Sequence, residues 1–396
     1  MPQSVRGHRR LIVLLGGLTA IAPMSIDMYL PAFPALEQGL ATDAASVQRT
    51  LSVFFLGLAA GQMIYGPLSD RFGRRRPLLA GLALYTLASI GCALSGTIGH
   101  LVMWRGLQAL GGCAGVVMAR AVVRDVFGPR EAARVLSSLL LVMGVAPILA
   151  PLAGGWLLSH AGWRGIFVVL IAFGLCCIVA VLTTLPDTGR EHRLATITVR
   201  SASGAFARVA GDRQFGRYAT AGAFAQSALF AYIAGAPFLF IQVLGIAPAH
   251  FGWVFGINAA GLIGASQLNR ALLHRQRVAV VLRRALIVQV AASVAFLALV
   301  TWTAPALVRI GVPLLLVITL MGFVLPNTTA LALAPFDRDA GTASALLGSV
   351  QYGLAGLTIF VVALVFDGSP RPMALAMLAF VAGAYLLVAV AEPGEA

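Results

Sequence analysis

The stretch GPLSDRFGRRRPLL, from Gly66 to Leu79, places one aspartate, two glycines and four arginines between two apolar runs. The runs cover residues 47–67 and 77–96, and each has the roughly 20 residues that a helix needs to cross a bilayer. Glycine permits a tight backbone, and Asp70 is expected just after the end of the first helix. We predict a short loop that locks two helix ends to a neighbouring helix through charge and dipole contacts. The alternative is an ordinary loop on the positively charged side of a membrane.

The same alternation of apolar runs and short polar loops continues along the whole chain. Its 396 residues are 59% hydrophobic and 11% charged, whereas a soluble domain carries about 25% charged residues. We therefore predict an all-α integral membrane protein with twelve transmembrane helices in two six-helix bundles. The predicted spans are approximately 11–33, 47–67, 77–96, 99–121, 134–158, 163–185, 216–240, 251–272, 283–303, 308–333, 341–366 and 372–391.

One longer polar break divides the chain nearly in half. We predict an N-terminal bundle over 1–185, a cytoplasmic linker over 186–215 and a C-terminal bundle over 216–396. With the N-terminus placed inside, most of the 28 basic residues fall on the inner side, which predicts that both termini are cytoplasmic. This asymmetry accounts for the net charge of +14 without a nucleic-acid partner. 

A weak internal repeat agrees with two related halves. A shift of 200 residues places Gly61 on Gly261, Leu68 on Leu268 and Arg75 on Arg275. Transporters built from two parallel halves have this layout.

Asp27 is the only acid that we place within a span and away from its ends. A carboxylate in the bilayer costs at least a few kcal/mol, and burial favours its neutral form. It can therefore take up a proton on one side and release it on the other, and it can attract a cationic substrate. The alternative is a residue near the outer interface, about 24 Å along the span, that caps a helix broken by Pro31 and Pro34.

Two arginines of the fourth span are further candidates, each with an alternative. Arg105 lies about 10 Å from the outer end of its helix, where it can assist proton transfer or hold a carboxylate, or can simply extend to the interface. Arg120 can face a cavity and pair with substrate, or can belong to a cytoplasmic cluster with Arg124 and Asp125.

Polar and aromatic residues near the middle of other spans are candidates for a substrate cavity, although each can equally hold two helices together. They are Tyr29, Gln226, Phe230, Tyr232, Asn258, Asn327, Gln351 and Tyr352. In the fifth span, prolines and glycines are expected to kink the helix and allow close packing. They are Pro147, Pro151, Gly154 and Gly155.

Several motifs of enzymes and pumps are missing from the sequence. It contains no G-x-x-x-x-G-K-[ST] phosphate loop, no H-E-x-x-H string and no G-x-S-x-G string. We therefore expect neither an enzyme nor an ATP-driven pump, and we expect no cofactor and no metal.

The ordered string from Gly66 to Leu79 resembles the loop signature of the major facilitator superfamily. The signature positions are held by Gly66, Asp70, Arg71, Gly73, Arg74 and Arg75, and the resemblance implies a conformational role for them. WRGLQALGGCAG (Trp104–Gly115) resembles a second signature, of drug:proton antiporters, with Arg105, Gln108 and Gly111 at matching places. GVAPILAPLAGGW (Gly144–Trp156) resembles the antiporter motif of exporters, but alanine precedes each proline where the family has glycine.

The segment SIDMYLPAFPAL, which begins at Ser25, resembles the first span of the branch that contains bicyclomycin- and chloramphenicol-resistance proteins, the Bcr/CflA drug exporters. The resemblance implies a drug:proton antiporter of the bacterial inner membrane, with small molecules and protons as its partners and no demand for more than a monomer. Two alternatives remain: a proton-coupled exporter of a normal metabolite, such as a nucleoside or amino acid derivative, and a membrane receptor that does not transport.

Overall fold

The computed structural model describes residues 5–185, 199–304, 306–336 and 340–390, and in these ranges helices are joined by short loops, with no strand. The helices before the middle of the chain are α1 (Val5–Asp27), a 3₁₀ helix (Leu30–Ala32), α2 (Phe33–Gly39), α3 (Ala44–Phe72), α4 (Arg75–Ala93), α5 (Ile98–Val126) and α6 (Pro129–Thr184). Those after it are α7 (Val199–Gly211), α8 (Arg213–Pro237), a π-helix (Phe238–Val243), α9 (Pro248–Leu272), α10 (Val278–Trp302), α11 (Leu307–Leu333), α12 (Ala340–Leu364) and α13 (Arg371–Ala389).

Ten helices of the described ranges are long and apolar enough to cross a membrane. One of them lies in α6, whose 56 residues would measure about 84 Å if straight, far more than the roughly 30 Å hydrocarbon core. Its helix breaks at Gly162, where φ is 67°, a value that glycine adopts without strain, and this break separates two predicted spans. The less apolar α9 is not among the ten, so the predicted number of twelve spans remains a prediction.

The first predicted span, 11–33, is too short. The apolar helical stretch runs from Arg10 to Gly39, through α1, the 3₁₀ helix and α2. Pro31 and Pro34 break the helix without ending the crossing, because each lies in the first turn of the next helical segment. A proline costs little there, since the first N–H groups of a helix have no partner within it.

The loop after α3 is shorter than predicted. Helix α3 continues to Phe72, so Gly66 and Asp70 lie inside the helix rather than in the loop. Gly66 is therefore not needed for a turn. Gly73 is, because its φ of 78° ends α3 in a left-handed conformation and Arg75 begins α4 two residues later.

The helices pack in two bundles with corresponding contacts. In the first half α3 and α4 pack on α5, and α4 packs on α6; in the second half α9 and α10 pack on α11, and α10 packs on α13. The predicted repeat follows this correspondence, because Gly61 allows α3 to approach Cys113 of α5, and Gly261 allows α9 to approach Thr319 of α11. 

The predicted linker is partly helical. Its residues 199–211 form α7, which packs on α8 and α12, and residues 186–198 lie outside the described ranges. The predicted division of the chain at 186 and 215 remains a prediction.

Candidate functional site

The two bundles meet where α3 packs on α12 and α8, where α6 packs on α9, and where the 3₁₀ helix contacts α8 and α9. Ser52 donates a hydrogen bond of 2.7 Å from its hydroxyl to the carbonyl oxygen of Gly356, and the Ser349 hydroxyl donates to the carbonyl oxygen of Ala59 at 3.3 Å. On the side of the protein away from Gly73, the Gln242 side-chain amide donates a hydrogen bond of 2.9 Å to the Glu37 carboxylate. The halves are therefore joined at the middle of the membrane and on that opposite side.

Asp27 is the last residue of α1 and is only 4% exposed. It lies about 26 Å from Arg10 and about 18 Å from Gly39 along the helical path, near the middle of the crossing. The alternative position near the outer interface stays a prediction, because the path from Arg10 to Gly39 is longer than the roughly 30 Å hydrocarbon core. None of the described residues donates a hydrogen bond to the Asp27 side chain or forms an ion pair with it. The end of a helix also disfavours a negative charge, so Asp27 is not a favourable cap.

Several polar groups of the second half are buried without a partner in the described ranges, including the Ser227 hydroxyl, the Gln289 side-chain oxygen, the Tyr232 hydroxyl of α8 and the Asn258 side-chain oxygen of α9. The Tyr232 phenol lies within electrostatic range of the Asp27 carboxylate. The Tyr232 ring stacks on Phe255 with 5.6 Å between ring centroids, and Asn258 follows Phe255 by one helical turn. A buried polar atom without a hydrogen bond costs about 1–3 kcal/mol, so these groups are suited to a polar ligand that completes them.

The antiporter-like segment of α6 positions the chain around Asp27. A Cβ atom at Gly154 would overlap the carbonyl oxygen of Met28, and one at Gly155 would lie 3.0 Å from the carbonyl oxygen of Pro248 in α9. The two glycines thus let α6 approach the backbone of both halves at once. Pro147 and Pro151 lie within the same helical segment.

Arg105 is fully buried, so the interpretation as an arginine that extends to the membrane interface is wrong. Its Nη1 atom donates to the carbonyl oxygen of Ser25 at 3.0 Å and to the side-chain oxygen of Gln108 at 2.7 Å. Its guanidinium lies over the rings of Tyr29 at 4.5 Å and Phe54 at 4.2 Å. Arg105 therefore holds the end of α1, two residues before Asp27, instead of pairing with the carboxylate.

Tyr29 does not line a cavity, contrary to prediction. It is fully buried in the first half, where its hydroxyl shares a hydrogen bond of 2.9 Å with Thr50. Asn327 is likewise a helix-to-helix contact, because it exchanges two side-chain hydrogen bonds, of 3.1 and 2.9 Å, with Asn269. Both amides are then satisfied within the second half, which leaves neither for a substrate.

Phe230 lies in an aromatic cluster that crosses between the halves. Its ring centroid is 4.1 Å from that of Phe55 in α3 and 6.3 Å from that of Tyr352 in α12. Arg120 is exposed and lies within electrostatic range of Tyr352, and its cavity-facing role stays a prediction. The alternative cluster is not observed for Asp125, which pairs with Arg74, and the side chain of Arg124 lies outside the described part.

Gln226 and Gln351 are half-buried on α8 and α12, the helices that carry Phe230 and Tyr352.

Among the residues not predicted, Phe55 and Gly252 matter most. Phe55 completes the aromatic cluster, and a Cβ atom at Gly252 would lie 2.7 Å from the backbone nitrogen of Leu152 in α6. A search for glycines repeated every four residues on α9 would have found Gly252 and Gly256. No sequence signal distinguishes Phe55 from the other apolar residues of α3.

The charged loop makes the contacts between helix ends that its sequence suggests. The Arg74 Nε atom donates to the Asp125 carboxylate at 2.7 Å, which links α4 to the end of α5. The Arg75 Nη2 atom donates to the carbonyl oxygen of Leu182 at 2.9 Å, near the end of α6. Arg71 lies over the ring of Phe72, and the side chain of Asp70 lies outside the described part. The conformational role of these residues remains a prediction.

Solved structures share the arrangement of helices. A D-xylose–proton symporter superimposes with a TM-score of 0.77 at 14% identity, over 98% of each chain. A bacterial homolog of the human lysosomal transporter Spinster, in an inward-facing and unoccupied conformation, gives 0.75 at 16% identity, over 98% of this chain and 96% of that one. At these identities the likeness concerns the fold.

Sequence relatives cover nearly the whole chain. An uncharacterized MFS-type transporter of Bacillus subtilis, YdgK, is 36% identical over 89% of this chain and 88% of its own. A chloramphenicol resistance protein of Pseudomonas aeruginosa is 30% identical over 88% and 83%, and a bicyclomycin resistance protein homolog of Haemophilus influenzae is 29% identical over 92% of each chain. The sequence profile of the Major Facilitator Superfamily matches residues 15–360, and with two bundles joined around a buried carboxylate, this multi-pass membrane protein belongs to that superfamily of transporters.

Proposed function

We propose that this chain exports drugs or similar small amphipathic molecules in exchange for protons. The observation that carries the proposal is Asp27, a carboxyl group buried near the middle of a crossing, without an ion pair in the described ranges and next to the second half. The relatives named for resistance to chloramphenicol and bicyclomycin support a drug as the substrate. The proposed location is the bacterial inner membrane, with both termini in the cytoplasm.

In the proposed cycle, the cavity between the bundles opens alternately to each side. Asp27 binds a proton when the cavity faces outward and loses it when the cavity faces inward, where substrate then binds. The proton and the substrate compete for one cavity, which couples their movements without a chemical reaction. The neighbouring polar atoms of Tyr232 and Asn258 offer a hydrogen-bond donor and an acceptor for the substrate.

Asp27 is well placed to influence the closure between the halves. The backbone directly after it packs on α6 at Gly154, and the 3₁₀ helix that follows contacts α8 and α9. A change in the charge of Asp27 therefore acts where the first half meets the second. Because an unpaired charge is costly in such a site, the ionised form favours an arrangement that admits water or a substrate.

The test is drug-induced proton movement in energised everted membrane vesicles. A panel that includes a phenicol is added while a fluorescent probe follows the pH of the vesicle lumen. We expect proton release from the lumen with the unchanged protein and none with Asp27→Asn. The matched control is Asp43→Asn, which makes the same change at an exposed acid, keeps the oxygen that accepts from Ser46 and should retain proton release.

Two results would contradict the proposal. Full drug-induced proton release by Asp27→Asn would remove Asp27 from the coupling. No response to a broad panel, from well-energised vesicles that contain folded protein, would contradict drug export and favour the metabolite exporter.

A further inference from the structure

A groove runs along the outer surface of the first half, between α1 and α6, on the side of the membrane that carries the loop of Gly73. Its first part has a volume of about 430 Å³. It is lined by Arg10, Val13, Leu14, Gly17, Cys176, Cys177, Ala180, Thr183 and Thr184. A second part of about 420 Å³ adjoins it, shares Val13 and Gly17, and extends past Ala20 to Phe173. The groove lies outside the interface between the halves.

The groove opens on the apolar outer surface of the protein, where lipid tails would contact it. Val13, Val179 and Leu182 are between 50% and 76% exposed, which suits a surface in contact with hydrocarbon. From Arg10 to Ala20 the groove follows α1 for about 15 Å, which is half of the roughly 30 Å hydrocarbon core. Its polar end lies at Arg10, and its apolar end at Ala20 lies about 10 Å before Asp27 along α1.

The polar end of the groove is positively charged. Arg10 is exposed and makes no hydrogen bond or ion pair with a described residue. The hydroxyls of Thr183 and Thr184 lie at the same end. Arg75 does not line the groove, but it donates to Leu182 in the same turn of α6 and so adds positive charge near this end. A phosphate-bearing headgroup fits this set of donors.

We propose that the groove binds one anionic phospholipid, with its headgroup at Arg10 and one acyl chain along Gly17 toward Ala20. Basic pockets between transmembrane helices are suited to anionic headgroups, and a single arginine near the surface adds roughly a fivefold preference. The smallness of Gly17 makes room for the chain, since no side chain fills the space beside Cys177 and Phe173. The proposal does not depend on the exported substrate.

The experiment is native mass spectrometry of the full chain, purified with equal amounts of phosphatidylglycerol and phosphatidylethanolamine that carry the same acyl chains. We expect the protein to retain one phosphatidylglycerol in preference to phosphatidylethanolamine. Arg10→Gln should lower this preference about fivefold. The control is Arg275→Gln, which makes the same charge change at an exposed arginine of the second half that does not line the groove.

A second variant tests the apolar part of the groove without a change in charge. Gly17→Leu fills the groove, and its Cβ atom fits because the nearest atoms, in Cys177 and Phe173, are 3.9 Å away. We expect it to lower the retention of both lipids while the protein remains folded. Equal retention of the two lipids by the unchanged protein would overturn the proposal, as would an equal loss from Arg10→Gln and Arg275→Gln. Dimers that disappear with Gly17→Leu would assign the groove to a second copy of the chain instead.

Discussion

Gly154 of α6 lies against the backbone carbonyl oxygen of Met28, the residue that follows Asp27. No other residue type fits, because any Cβ atom at position 154 would overlap this oxygen. A glycine of one helix thus fixes the path of the chain directly after the carboxylate that we propose to carry the proton.

Gly154→Ala should displace the chain around Asp27. We expect it to lower the free energy of unfolding by about 1–3 kcal/mol, as for other overpacked sites, and to reduce drug-induced proton release. Thermal unfolding in detergent and the vesicle assay measure the two effects. Gly144→Ala is the control on the same helix, because its Cβ atom would meet only the end of the Ile263 side chain, at 3.4 Å. Equal behaviour of the two variants would contradict this role for Gly154.

Tyr232→Phe should impair transport without loss of stability. The change removes a buried hydroxyl that has no partner in the described ranges, so the protein should be as stable or slightly more stable. If that hydroxyl donates to ionised Asp27 or to the substrate during the cycle, transport should fall about tenfold or more, since a hydrogen bond to a charged group contributes about 1.5–3 kcal/mol.

Ser227→Ala is the control for Tyr232→Phe. It removes another buried hydroxyl of α8 without a described partner, but one that points about 140° away around the helix. Unchanged transport in both variants would show that Tyr232 acts only through its ring.

Arg105→Lys should destabilise the first half even though it keeps the charge. Lysine cannot reproduce the planar contact of the guanidinium with Tyr29 and Phe54, and its side chain lacks the Nη1 atom that donates to both Ser25 and Gln108. We expect a loss of about 1.5–3 kcal/mol, measured by thermal unfolding in detergent. Arg164→Lys is the control, since Arg164 also donates to a carbonyl oxygen and lies over a tryptophan ring, but at an exposed position. A loss no larger than that of the control would contradict the importance of burial.

The pair of Arg74 and Asp125 should contribute to transport through its charge complementarity. The two side chains are 13% and 21% exposed. In a double-mutant cycle on the free energy of unfolding, we therefore expect a coupling energy of up to about 1 kcal/mol. Arg74→Asp should lower the transport rate, and the combined change Arg74→Asp with Asp125→Arg should restore part of it. Failure of the combined variant to exceed either single variant would argue against a direct pair.

Much of the architecture follows from local signals. Apolar runs separated by charged loops indicated the crossings, since an unpaired backbone in lipid is costly and helices satisfy it internally. Errors occurred at helix ends. The first crossing continues to Gly39 because prolines at the start of a helical segment break the helix axis without exposing backbone donors, and α3 absorbs Asp70 because nothing before Gly73 stops it.

The candidate site was less predictable. Asp27 stood out because charge is rare in a crossing, and Arg105 for the same reason. The sequence could not predict that Asp27 and Arg105 do not pair with each other, because the partners of a buried group are set by packing between distant segments. Tyr29 was misassigned for this reason: an aromatic residue near the middle of a crossing has the same local signature whether it faces the core or the cavity.

The sequence by itself determined that this chain crosses a membrane many times, that its charges concentrate at helix ends and that one carboxylate lies within a crossing. These properties depend on composition and on spacing along a helix, which are local. Only the tertiary structure decided that Arg105 binds the Ser25 carbonyl, that Tyr232 of the other half lies within electrostatic range of Asp27, and that Gly154 touches Met28. Such contacts depend on which faces of distant helices meet, and shape complementarity across the whole bundle sets that choice.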